Sequence, residues 1–250
     1  MSLLNKHDDF NQFEKSADNS FWEKSSKIAA SFIVLLLLLL FPLLVKSPYY
    51  LHIGIVTFIY IIATASLRII TISGQFPLAH AAFMGIGAYT SAVLAKNMGL
   101  SPWLTIPVGG VVSMIIGAFI GFPFARLRVL YYAMVSLFFG IGVLQVFFVL
   151  NKWTQAYRGL TGIPALLPAG STKTAYYYLF LILTIVCLLA LYRLEFCRIG
   201  TALKAIEQSH LVASSVGIDE AKYRVLVLAV GCFFVGIAGG FYAHYTLVRG

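Results

Sequence analysis

Two stretches of this chain carry polar side chains in patterns that could act on another molecule. The first is Ser73-Gly74-Gln75-Phe76-Pro77-Leu78-Ala79-His80, which runs into AAFMGIGAYTSAV. Gln75 brings an amide and His80 an imidazole, groups that both donate and accept hydrogen bonds. The chemistry they offer is recognition of a polar solute rather than bond making. If the following short helix starts at membrane depth, its free N–H groups can also face a carboxylate, and Pro77 belongs to the same path. The same residues fit a tight turn with Pro77 in the first turn of the next helix, and spacing does not choose between the two.

The second stretch is Arg193 to Arg224, a long polar segment between two apolar runs. A helix over Thr201 to Val216 gathers Ala202, Ala205, Ile206, Ser209, Val212, Ala213 and Val216 on one broad face, able to lie on the protein's own helices. Leu203, Glu207 and Leu211 then fall one above another on a side that would otherwise be solvated. Two apolar faces imply two neighbours, the second being another protein. Gly217 suits the position after the helix end, and Asp219 suits the cap of the helix that follows. The competing reading is an amphipathic helix lying on lipid headgroups, although such helices carry bulkier apolar residues and denser Lys and Arg.

Other chemistry finds no support in the sequence. There is no set of nucleophile, base and orienting residue, and no phosphate-binding G-x-x-x-x-G-K-[ST] loop, so ATP is not expected to bind here. Cys187, Cys197 and Cys232 lie in or beside apolar runs without metal-ligand spacing and read as inert thiols. The expectation is a protein that is not an enzyme and holds no metal or cofactor of its own.

The elements that position these stretches are membrane helices. Of the 250 residues, 60% are hydrophobic and 11% charged, whereas a soluble domain has about 25% charged. The apolar runs lack the period-two alternation of barrel strands. The chain is therefore an all-α polytopic membrane protein, with spans expected at Ile28 to Val45, Tyr49 to Ile72, His80 to Ala95, Trp103 to Ala125, Val129 to Leu150, Ala175 to Tyr192 and Val225 to Val248. About 20 residues are needed to cross, so His80 to Ala95 is short or discontinuous. Residues 1–27 form an N-terminal segment, 28–250 one membrane domain, and the first apolar run is expected to be an uncleaved span.

With the N-terminus in the cytoplasm, Lys6, Lys15, Lys24, Lys27, Arg68, Arg126, Arg128, Arg193, Arg198, Lys204, Lys222 and Arg224 fall inside, against six outside, out of 18. That asymmetry places Arg193 to Arg224 in the cytoplasm and accounts for the net charge of +9 without nucleic acid. Ile28 to Leu194 contains no carboxylate. Cation-coupled pumps place Asp or Glu inside the membrane, so energy for uphill movement is expected from a separate ATPase, and a self-sufficient carrier is the weaker alternative.

Gly109, Ser113, Gly117 and Gly121, and Cys232, Gly236 and Gly240, recur every four residues and predict close helix contacts. His52 and His244, near the ends of spans, are expected to hydrogen-bond locally. Tyr176, Tyr177, Tyr178, Trp103 and Trp153 fit interfacial belts, and Arg68 is placed to snorkel.

GQFPLAHAAFMGIGAY resembles the GQ-x-SLGHAAFMGIGAY-type segment of permeases of branched-chain amino acid ABC transporters. Phe124 to Arg128 with Tyr132 to Leu137, then Gly159 to Pro164, then Ile199 to Ile206 with Ala213 to Ile218 and Tyr242 to Tyr245, resemble further family blocks in the family's order. The resemblance spans roughly Ile72 to Tyr245 and is to the M-type of the two paired subunits.

It implies a bacterial inner-membrane importer with a paired permease, two ATP-binding subunits and a periplasmic solute-binding protein. The cytoplasmic helix becomes a coupling helix contacting the ATPase through Leu203, Glu207, Leu211 and Gly217, while Gln75, Pro77 and His80 line the solute path. Pro77, Ala79 and Ile141 depart from the family pattern, which leaves urea or short amides as alternative solutes. The family's C-terminal helices are expected to be missing after Gly250.

Overall fold

The computed structural model describes residues 36–45, 47–125, 127, 129–155, 160, 162–167, 172–208, 215 and 217–246. The chain divides into two compact units at Leu51 and His52. In the first, residues 36–44 are helical (α1). Only this end of the expected Ile28 to Val45 span is described, and residues 1–27 lie outside the described residues.

From the start of the next helix the elements are α2 (Pro48–Thr71), α3 (His80–Met98), α4 (Pro102–Phe124), α5 (Val129–Val149), the single turn α6 (Asn151–Thr154), α7 (Lys173–Phe196), α8 (Arg198–Gln208) and α9 (Glu220–Thr246). No strand occurs among the described residues. Five helices, α2, α4, α5, α7 and α9, are long and apolar enough to cross a membrane. The short span expected at His80 is α3, which reaches Met98 with 19 residues. At 1.5 Å per residue it measures about 28 Å, close to a hydrocarbon core. His80, Ser91, Lys96 and Asn97 dilute its apolar character, which keeps it apart from the five.

Local chemistry sets the helix ends. Pro102 follows the extended Ser101 and opens α4, where a missing N–H is harmless. Gly99, with φ 63°, closes α3 in the left-handed region. Asp219 caps α9 as its sequence position predicts: its Oδ1 accepts from the Lys222 N–H at 3.3 Å. The Lys222 ammonium, 3.0 Å from the same carboxylate, holds the Asp219 carboxyl below its usual range.

The second unit is organised around α9, which the sequence did not single out. It packs most heavily on α4 and α3, and the two small-residue seams meet there. A Cβ on Gly236 would lie 2.6 Å from Ser113 Oγ, one on Gly117 2.6 Å from Cys232 Sγ, and one on Gly87 2.2 Å from the Gly236 carbonyl oxygen. At Gly87 backbone meets backbone, and at Gly236 and Gly117 a small side chain fills the glycine's place, which is how helices associate where lipid removes any hydrophobic gain between them. On another side of α9, Phe180 of α7 meets Phe241 and Tyr245, and Gly231 approaches Ile70 of α2. α5 is the peripheral helix, with most of its side chains exposed.

Candidate solute path and coupling segment

The segment between α2 and α3 is a short unwound stretch. The Ser73 N–H donates to the Ile70 carbonyl and the Gly74 N–H to that of Thr71, both at 3.0 Å. Gly74 then takes φ 77°, a conformation that glycine adopts without strain. Residues 75–77 have no regular structure, and α3 begins at His80, so Pro77 lies outside the helix rather than in its first turn. The polar side chains of the turn are shielded, with Gln75 2% and His80 8% exposed; Pro77 is buried too, while Phe76 and Leu78 between them are exposed.

Four residues, two on α2 and two on α5, hold this stretch in place. His80 Nε2 lies 3.1 Å from the Ala63 carbonyl and 3.0 Å from Ser66 Oγ. A carbonyl only accepts, so Nε2 carries the proton and Nδ1 a lone pair. Ser136 of α5 accepts from the Leu78 N–H at 3.0 Å. The sequence matched Ser136 within a family block but gave it no role; its hydroxyl satisfies a backbone donor at the turn. Gly140 of α5 lies against Ala79, which would sit 3.5 Å from an added Cβ.

Two buried polar atoms are left over here. Among the described residues, Gln75 Nε2 and His80 Nδ1 have no hydrogen-bond partner. Leaving such groups unmet costs about 1–3 kcal/mol each. One is a donor and the other, with Nε2 protonated, an acceptor.

At the opposite ends of α3 and α9 lies a second polar cluster. The Pro164 carbonyl accepts from His244 Nδ1 at 2.8 Å, leaving Nε2 to accept from Ser91 Oγ at 2.9 Å. Thr105 Oγ1 is 3.1 Å from Ser91 Oγ. The expectation of local bonding for His244 is therefore corrected: the ring joins three helices and the 162–167 loop. Its fellow His52 bonds Tyr245 Oη at 2.8 Å, again far along the chain. Leu160 and Ile163 pack with Ala92 and Ala243 beneath this loop.

The coupling segment is described in part. α8 begins at Arg198, three residues before the expected start, and its described portion ends at Gln208. Leu211 lies outside the described residues, so its expected outward position has no counterpart here. Gly217 is exposed, with the φ of 83° that a helix-terminating glycine adopts. Glu207 is exposed as expected.

Leu203 is corrected: it is 3% exposed within this chain, beside a small apolar cavity shared with Ile69, Ile72, Leu226 and Val227. At about 100° per residue, the buried arc that begins at Ala202 and passes Ile206 extends to Leu203 and ends before Glu207.

Glu195, at the end of α7, supplies an interaction that the sequence hid. Its carboxylate, 9% exposed, lies 2.9 Å from Arg68 Nη2 and 3.6 Å from Lys204 Nζ. Arg68 thus pairs with a residue 127 positions away. Gly200 permits the sharp passage from α7 into α8, since a Cβ there would lie 1.9 Å from the Glu195 carbonyl oxygen.

The long apolar helices define a multi-pass helical membrane protein. The family described as the branched-chain amino acid transport system / permease component matches residues 49–249, and the chain belongs to that family.

The chain is 28% identical over 218 residues to the high-affinity branched-chain amino acid transport system permease protein LivM of Salmonella typhimurium (strain LT2), covering 76% of this chain and 51% of that protein. It is 28% identical over 221 residues to LivM of Escherichia coli (strain K12), with the same coverages of 76% and 51%. The chain thus spans about half the length of the curated relatives it matches. No solved structure matches.

Proposed function

We propose that the chain is a membrane-spanning permease subunit of an ATP-driven importer for branched-chain or related amino acids in a bacterial inner membrane. The observation that carries this is the family match over residues 49–249. In this reading ATP is bound and hydrolysed by two partner subunits, and a paired permease and a periplasmic solute-binding protein complete the assembly. Neither nucleic acid nor a cofactor of this chain's own has a part.

Gln75, Pro77 and His80 line the path. The unmet donor of Gln75 is suited to the carboxylate of a zwitterionic amino acid and the unmet acceptor of His80 to its ammonium group. Glu207, Leu211 and Gly217 face the ATPase, while buried Leu203 anchors α8 to its own helices. That Glu195 is engaged by Arg68 and Lys204 supports an external energy source over a proton relay within the chain.

The test is leucine uptake into native membrane vesicles that carry or lack this chain, with the solute-binding protein supplied. Uptake should require ATP and survive a protonophore. Uptake that stops with the protonophore while ATP is held constant would replace the importer with a cation-coupled carrier.

A further inference from the structure

We infer that Glu195 is a positioning residue for transport, tying the root of coupling helix α8 to α2 so that displacement of α8 reaches the His80 turn. The inference rests on the importer reading above for its driving partner. It rests on geometry for the tie itself.

Three elements converge on one carboxylate. Glu195 is the penultimate residue of α7, Lys204 lies on α8 and Arg68 on α2, at 3.6 and 2.9 Å. The remaining contact of the α8 root with α2 and α9 is apolar, through Leu203 near Ile69 and Val227. Apolar burial is non-directional and leaves a helix free to rotate or slide, and the small cavity beside Leu203 leaves it room. The hydrogen bond from Arg68 fixes the direction of the Glu195 carboxylate against α2, and the Lys204 ammonium of α8 is drawn to the same carboxylate by charge at 3.6 Å. Cys197, between α7 and α8, is extended with ψ 178°, so α8 does not continue the α7 rod.

The other end of the tie, Arg68, is two residues from Ser66, which touches the first residue of α3. Arg68 and Ser66 lie on the same helix, and Ser66 Oγ is 3.0 Å from His80 Nε2. A helix carries a displacement along its axis because its backbone bonds resist stretching, so a pull on Arg68 moves Ser66. The exposed guanidinium of Arg68 (69% exposed) limits what the pair adds to stability. Its contribution is the placing of α8.

The experiment uses the assembled importer in lipid nanodiscs, with Glu195→Gln, Arg68→Gln and the charge-keeping Arg68→Lys. Three quantities are read: co-purification of the ATPase, hydrogen exchange over residues 198–208, and stimulation of ATP hydrolysis by the loaded solute-binding protein. Glu195→Gln and Arg68→Gln should retain the ATPase, exchange about fivefold faster over α8 and lose stimulation about fivefold, with Arg68→Lys near wild type.

Unchanged exchange in Glu195→Gln would overturn the tie. Faster exchange with wild-type stimulation, or loss of the ATPase from the complex, would overturn the positioning role. If the wild-type chain brought no ATPase with it, the importer reading would fail together with the positioning role, while exchange in the three variants would still decide whether Glu195 holds α8.

Discussion

The contact between α3 and α9 can be tested by one methyl group. In Gly239→Ala, the new Cβ would lie 1.9 Å from the Met84 carbonyl oxygen and 3.0 Å from the Ala88 nitrogen. Both obstacles are backbone, so no rotamer change relieves them, and α3 and α9 must part by about 1 Å. A gap of that size forfeits roughly a quarter to a half of each dispersion contact across the seam. Overpacking of this kind costs about 1–3 kcal/mol, and lipid supplies no compensating hydrophobic gain between helices. Alanine returns up to about 1 kcal/mol in helix propensity. The net loss is about 1–2 kcal/mol, roughly fivefold to thirtyfold in the folded-to-unfolded ratio, or a fall in Tm of about 5 °C.

Cys187 and Cys232 are buried, so a thiol-reactive fluorophore in mild detergent reports unfolding directly. Gly142→Ala is the control, because nothing lies within 4 Å of its added Cβ, and it should leave Tm unchanged or slightly raised. Equal falls in Tm for the two variants, or none for Gly239→Ala, would refute the seam argument.

Other outcomes follow from the same geometry. Gln75→Leu and His80→Phe should each weaken solute transport by about fivefold to a hundredfold without lowering the amount of protein, measured as concentration dependence of uptake in the assembled complex. Glu207→Arg should reduce ATPase co-purification with Tm unchanged, whereas Leu203→Ala should lower Tm, by cavity formation costing about 2 kcal/mol or more. His244→Phe leaves the Ser91 hydroxyl and the Pro164 carbonyl without their imidazole partner and should speed proteolysis in the 160–167 loop. Asp219 has a depressed carboxyl pKa, so its cap is intact above the usual value and lost as pH falls through the lowered one. As pH falls below the usual carboxylate range the Lys222 amide should therefore gain exchange relative to its value in Asp219→Asn.

Features governed by neighbours in sequence were legible in the chain. The four-residue recurrence of Gly109, Ser113 and Gly117 forecast a seam, and the structure sets Ser113 and Gly117 against Gly236 and Cys232 of α9 and Gly109 against Gly87 of α3. Asp219 before a helical run forecast a cap, and its carboxylate accepts the Lys222 N–H.

Features that depend on distant partners were not legible. Nothing near Glu195 in sequence announces Arg68, and nothing near His244 announces Pro164, because the folding of separate helices brings them together. Leu203 was misplaced for a subtler reason: a helical wheel orders residues around an axis but does not say where the buried arc ends. The anchoring of Leu78 and Ala79 likewise required Ser136 and Gly140 of α5 to close on the turn, which periodicity within either segment could not reveal.

The central claim is that this membrane chain works as one subunit of an assembly whose ATPase is a separate protein. Its most direct test is purification of the tagged chain from its native membrane in mild detergent, with mass spectrometry of the stoichiometric partners. The account predicts an ATP-binding subunit and a second permease in the complex. Isolation of the chain alone, still able to drive leucine uptake in proteoliposomes, would contradict it.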